Sequence, residues 1–213
     1  MLNLIFTLIP LVLINLNLIV IDPGHGGSDF GALDISQHIK EKDITLDFAK
    51  SLKKILFSRL GVNVILTRKE DKNLSLDERA AIANNNKADL FLSLHIGANF
   101  SLISNGVRIC VLKEENNLEN FNFFWKFQQI PFIKKSLKLA EILKEAFENT
   151  HIFQDIEIIR GRFYLLEAIK APAVIIEVGF ITNSYDLEKI LNQKEEIIST
   201  IYFGILNFIK KNS

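Results

Sequence analysis

Apolar positions along this chain fall into short unbroken runs, which alternate with longer stretches where they recur every three or four residues. Leu18 to Ile21 is such a run, and Asp22-Pro23-Gly24 closes it, so it reads as a buried strand entering a loop that continues through Gly31. From Glu41 onward, Ile44, Phe48, Leu52 and Ile55 share one helical face, and Gly61 supplies the stop. Val62 to Leu66 reads as a second strand, Leu76 to Asn86 as a helix carrying Arg79 with Ala80, Ile82 and Ala83, and Ala88 to His95 as a third strand. Val107 to Leu112 follows as a strand, Lys134 to Asn149 as a helix packing through Leu137, Ala140, Ile142, Leu143 and Phe147, and Phe163 to Leu166 as a short extended piece. Pro172 leads into Ala173 to Val178, an apolar, β-branched run of the kind found in strands covered on both faces. Leu187 to Lys211 fits one or two helices with Ile190, Ile197, Ile201, Ile205 and Phe208 inward. Strands alternating with helices in this way predict an α/β fold with a mainly parallel, twisted sheet and helices on both faces. No repeat, low-complexity tract or linker interrupts residues 17–213, so one domain is expected there.

Composition narrows the partners. A chain of 213 residues can bury roughly 70% of its unfolded surface in one domain without disulfide staples. Its 25 basic residues balance 25 acidic ones, which removes the overall electrostatic attraction that nucleic-acid binders depend on, and nucleic acid is not expected as a partner. Cys110 is the only cysteine and reads as a small core-facing residue. Residues 1–16 are almost continuously apolar, yet no Lys or Arg precedes Lys40 and no small-residue cleavage site ends them. They read as a degenerate secretion signal, or else as a misplaced start or buried apolar arm. A lasting transmembrane span of about 20 residues is not expected, because Leu18 to Ile21 is needed as a strand.

The candidate chemistry sits at strand ends, where ligands gather in open α/β sheets. Two of the four histidines, His25 and His95, stand where predicted strands run out, and Glu177 interrupts the apolar strand Val174 to Val178. A carboxylate on a buried strand is costly unless paired, protonated or metal-bound. Neutral imidazole with carboxylate is a ligand set that Zn²⁺ accepts. The glycines around His25 could instead cradle a phosphate, but the Lys of a phosphate-binding loop is missing. Glu41 in the first turn of a helix is ordinary dipole chemistry by itself. His38 is a rival ligand, His151 reads as a surface residue, and Arg79 as a solvated or salt-bridged side chain.

The combined string resembles the zinc-dependent N-acetylmuramoyl-L-alanine amidases. It is carried by Val20-Ile21-Asp22-Pro23-Gly24-His25-Gly26-Gly27, Glu41-Lys42-Asp43-Ile44, Thr67-Arg68, Leu76 through Arg79 to Ala83-Asn84, Ser93-Leu94-His95, and Pro172 through Glu177-Val178-Gly179-Phe180-Ile181-Thr182-Asn183. The resemblance implies Zn²⁺ held by His25, Glu41 and His95, with Glu177 as the catalytic carboxylate. It implies hydrolysis of the amide between the lactyl group of N-acetylmuramic acid and L-alanine of the peptidoglycan stem peptide, in the periplasm or outside the cell. An activator protein is a further implied partner. One departure is Gly97, where the family usually has Asn or Asp two positions after the second histidine.

Two other functions stay open on sequence grounds. One is a catalytically weak peptidoglycan-binding protein, and the other a zinc hydrolase of a different amide. The segment Phe121 to Phe127 packs five aromatic residues into seven positions and reads as a cluster covering a sheet edge, or as a small lid or docking patch.

Overall fold

The computed structural model describes residues 16–99, 101, 103–114 and 128–212. Apolar runs become strands of one six-stranded sheet, and the periodic stretches become the helices that cover it. The strands are β1 (Leu18–Pro23), β2 (Asn63–Leu66), β3 (Leu90–Gly97), β4 (Val107–Leu112), β5 (Ile156–Gly161) and β6 (Ala173–Phe180). The helices are α1 (Glu41–Leu60), α2 (Leu76–Asn85), α3 (Ile133–Thr150), α4 (Tyr164–Glu167), α5 (Ser184–Asn192) and α6 (Lys194–Asn212). The spatial order is β2-β1-β3-β6-β4-β5. β2, β1, β3 and β6 run parallel, β4 is antiparallel to β6, and β5 is parallel to β4. The mainly parallel sheet expected from the sequence is therefore mixed at one side.

Alternation along each strand divides the core in two. On one face Ile19, Ile21, Leu92, Leu94, Val174, Ile176, Ile109 and Val111 pack under α1, α3 and α6. On the other, Val20, Phe91 and Ala173 meet Ala80 and Ala83 of α2 and Leu165 and Leu166 of α4. This second cover is much smaller, and although Asp22 and Ser93 on that face are fully buried, His95 and Glu177, nearer the carboxyl ends of their strands, keep partial access to solvent.

Local sequence explains several boundaries. Gly61, at φ +66°, ends α1 and donates its N–H to Phe57 O, because an L side chain resists this left-handed conformation. Ser75 and Glu78 form a reciprocal capping box at the start of α2. Asn183 caps α5 with hydrogen bonds from the N–H groups of Tyr185 and Asp186. The C-terminal stretch is thus two helices, joined at Gln193.

Two expectations change. Phe163 to Leu166 is not extended: Tyr164–Glu167 forms one helical turn, because Leu165 and Leu166 both insert into the second core cluster. Strand β5 had no apolar run to announce it. It is an edge strand of Ile156-Glu157-Ile158-Ile159-Arg160-Gly161, held by its ladder to β4. The aromatic run Phe121 to Phe127 lies outside the described residues. So do residues 1–15 of the apolar N-terminal stretch. Among the described residues no helix is long and apolar enough to cross a membrane.

Candidate metal centre

His25 follows β1 in the turn Gly24 to Gly27, Glu41 opens α1, and His95 lies near the carboxyl end of β3. The sheet brings all three together, so that one ligand atom from each lies within 4.8 Å of the others. His25 Nε2 is 3.1 Å from Glu41 Oε2, and His95 Nδ1 is 2.9 Å from Glu41 Oε1. Ligands on a tetrahedral ion with bonds of about 2.0–2.1 Å stand roughly 3.3–3.4 Å apart, so these contacts, here at hydrogen-bond distance, need to open by only a few tenths of an ångström to share a small cation. The imidazole rings meet edge to face, with centroids 4.9 Å apart.

Each donor is also held from outside. Asp29 Oδ2 lies 2.8 Å from His25 Nδ1 and leaves Nε2 aimed at Glu41, the outer carboxylate arrangement that orients a metal-binding histidine. Glu41 is buried and accepts the N–H groups of Ala32 at 2.8 Å and Ile96 at 2.9 Å, which fixes both its oxygens. Burial opposes ionisation of Glu41, yet the hydrogen bonds from His25 and His95 overcome it and hold the carboxyl far below its usual range. Burial likewise opposes charging His25, but hydrogen bonds and charge from Glu41 and Asp29 raise its pKa above the ordinary value. Two imidazoles and one ionised carboxylate of this spacing could hold a divalent cation. His38 is elsewhere, its ring 3.1 Å from Ser36 Oγ. His151 caps α3 from an exposed left-handed position.

Glu177 on β6 is level with His95 on β3. Burial pushes its carboxyl above the usual range, and the neighbouring His95 and Arg108 only partly offset this. A carboxylate with raised proton affinity beside a candidate metal centre is equipped to take up a proton.

A family model described as N-acetylmuramoyl-L-alanine amidase matches residues 19–207. The chain belongs to this amidase family. It is 31% identical, over 92% of its length and 95% of the relative's, to a protein of Buchnera aphidicola subsp. Acyrthosiphon pisum named for the same activity. It is 34% identical over 83% of its length to a Staphylococcus epidermidis protein named as cell wall amidase LytH, about half of whose length it spans (52%). Among solved structures, it resembles the CwlD amidase of Clostridioides difficile, determined in complex with the GerS lipoprotein. That match has a TM-score of 0.78 at 26% identity, covering 92% of this chain and 99% of the other.

The amidase surrounds its His25 turn with side chains whose roles the sequence did not disclose. His25 itself sits at φ +61°, a conformation that costs a non-glycine residue about 1–3 kcal/mol and persists only where its surroundings impose it. Arg79 imposes part of it: Nη2 donates to His25 O at 2.8 Å and Nη1 to Pro23 O at 2.9 Å. The same Nη1 pairs at 2.7 Å with Asp22, which is fully buried and also accepts hydroxyl hydrogen bonds from Thr67 and Ser93. Arg79 is thus buried and salt-bridged rather than solvated. Arg68, 1% exposed, donates to the carbonyls of Pro23, Gly24 and Lys42. Lys42 Nζ bonds Gly27 O and Asp71, and Asp71 accepts Gly27 N–H at 2.7 Å. The amide of Ser28 is taken by Asn73 and that of Gly26 by Asp29 O. With these amides committed internally, the turn presents an imidazole and not a phosphate cradle. The sequence signals for Arg68 were its place just beyond a buried strand and the Thr67-Arg68 pair among the segments that carry the resemblance.

Close packing explains the glycines nearest the centre. A Cβ on Gly24 would lie 2.6 Å from His95 Nε2, and one on Gly31, at φ +66°, would lie 2.6 Å from both Glu41 Oε2 and His25 Cδ2. Gly97 follows a β-bulge between His95 and Gly97, and its Cβ would come 3.1 Å from Gly179 O. The departure from the family's Asn or Asp therefore falls on a tight strand-to-strand approach and leaves the metal donors in place.

Proposed function

We propose that this amidase hydrolyses the amide joining the lactyl group of N-acetylmuramic acid to L-alanine of the peptidoglycan stem peptide, in a Zn²⁺-dependent reaction. The observation that carries this reading is the convergence of His25, Glu41 and His95 at one sheet rim with Glu177 level with His95. The nitrogen and oxygen donors and the outer carboxylate Asp29 fit zinc. When bound, Zn²⁺ supplies a Lewis acid for the scissile carbonyl and lowers the pKa of a coordinated water to about 7.

The chain's residues do the rest. His25, Glu41 and His95 hold the ion, and Ala32 N–H, Ile96 N–H and Asp29 keep those donors oriented. Glu177 takes a proton from the attacking water as the water oxygen bonds to the carbonyl carbon. It returns that proton to the amine of L-alanine as the carbon–nitrogen bond breaks. The products are a glycan strand with a free lactyl carboxylate and a peptide with a free L-alanine amino group. The substrate sets the location at the cell envelope, periplasmic or secreted, and the complex of the CwlD relative with the GerS lipoprotein supports a protein partner, for which we propose the role of activator.

Incubation of cell-wall sacculi with the zinc-loaded protein, followed by mass analysis, tests the reading. Stem peptides beginning in free L-alanine are expected, and the Glu177→Gln variant should retain fold and zinc but lose about 10²- to 10⁴-fold in rate. Cleavage at another amide would reassign the substrate, and no cleavage would leave a binding protein.

A further inference from the structure

The register of the sheet sets a row of ionisable side chains beside the metal centre. Glu177 on β6 is level with His95 on one side and with Arg108 of β4 on the other, and Arg108 is level with Glu157 of β5. Directly opposed residues of neighbouring strands share a face. The row therefore lies on the thinly covered face of the sheet, at the rim where the metal donors converge.

Arg108 differs from the other arginines near the centre. Arg68 and Arg79 direct their N–H groups at fixed carbonyl and carboxylate oxygens of the protein. The Arg108 guanidinium instead stacks 4.6 Å from the centre of the Phe180 ring, a side chain with no exposed surface. Its ion-pair partner is Glu157, 4.0 Å away and largely exposed, a pair of the kind that contributes little. A guanidinium carries five N–H donors, and among the described residues those of Arg108 make no closer polar contact. Its side chain, 33% exposed, lines a cleft with Ser101, Asn105, Asp155 and Glu157, and is the one cation among the described residues in it. The mounting is rigid: buried Asp186 accepts the N–H of Gly106, just before β4, at 2.7 Å and that of Phe180 at 3.0 Å. A cation with unused donors, set among Glu177, Glu157 and Asp155, is the one group there that can receive an anion, which those carboxylates would otherwise repel.

We infer that Arg108 binds a carboxylate of the stem peptide, on the leaving-group side of the scissile amide, and selects substrates that carry one. This rests on the function proposed above. Two strand spacings separate His95 from Arg108, about 9–10 Å. An extended peptide advances about 3.3–3.6 Å per residue, and the arginine side chain covers part of the remaining span. The carboxylate therefore belongs to the residue after L-alanine, where a bidentate pair with the guanidinium can form.

Two N-acetylmuramoyl-L-alanyl dipeptides test this, one with a free carboxylate on the second residue and one with a carboxamide at the same place. The zinc-loaded wild type is expected to prefer the carboxylate at least tenfold in kcat/KM. Arg108→Gln should bring that ratio close to one, chiefly through KM for the carboxylate substrate, and Arg108→Lys should restore part of it. A wild-type ratio near one, or an unchanged ratio in a folded, zinc-replete Arg108→Gln variant, would overturn the inference and leave the amidase reading intact. Failure of the wild type to cleave either dipeptide or sacculi would instead defeat the proposed function, and this inference with it.

Discussion

Replacing Arg79 by Met tests whether the buried Asp22–Arg79 pair holds the His25 turn. Methionine keeps much of the side-chain volume but removes the charge and every donor. Asp22 would remain fully buried with only the hydroxyls of Thr67 and Ser93, and His25 O would lose its 2.8 Å donor. Breaking one side of a buried pair typically costs about 3–5 kcal/mol. The lower end applies, because Arg68 lies close enough for its charge to interact favourably with Asp22. A loss of about 3 kcal/mol corresponds to a fall in Tm of roughly 6–12 °C for a domain of this size. Urea denaturation in the presence of a chelator measures the loss without the added stabilisation of bound zinc. The double variant Asp22→Asn/Arg79→Met removes the stranded charge and should recover at least about 1 kcal/mol of it. A cost below about 1 kcal/mol for the single variant, or no recovery in the double one, would refute the reasoning.

Zinc titration monitored by a chromophoric chelator should give about one ion per chain, and His95→Ala should lose it; stoichiometric zinc in both His25→Ala and His95→Ala would remove these ligands from the assignment. Gly31→Ala and Gly61→Ala form a matched pair, since both glycines sit at φ +66° but only Gly31 has neighbours within reach of a Cβ. Each should cost about 1–2 kcal/mol from the backbone, and only Gly31→Ala should weaken zinc binding as well, by at least tenfold; equal zinc affinities in the two variants would contradict the packing account. Burial, assisted by the charge of Glu177, pushes the Cys110 thiol up to about 12, so only on the order of 10⁻⁴ of it is ionised at pH 8. A thiol-reactive dye should therefore label it only in denaturant, and rapid labelling of the native protein would show that the strand opens.

Hydrophobic periodicity and strand-end punctuation were enough to read the α/β class, most of the strands, the helices on both faces and the candidate residues His25, His95 and Glu177. These features depend on nearest neighbours along the chain: a buried strand must be apolar, and a polar residue at its end stands out against that background. Glu41 was different, because a glutamate in a first helical turn is commonplace, and only its distances of 3.1 and 2.9 Å to the two histidines distinguish it. Strand β5 was hidden for a related reason. Its Glu157 and Arg160 are tolerated at a sheet edge, and pairing with β4, not local composition, makes it a strand. The tertiary structure alone decided that β4 runs against β6, and that antiparallel pairing sets Arg108 level with Glu177. It likewise decided that Arg68 and Arg79 point inward to grip the carbonyls of the His25 turn, since burying a guanidinium is affordable only where acceptors from distant segments meet it. Sequence marks which residues can do chemistry, whereas which of them share a site, and which hold the others in place, depends on contacts between segments far apart along the chain.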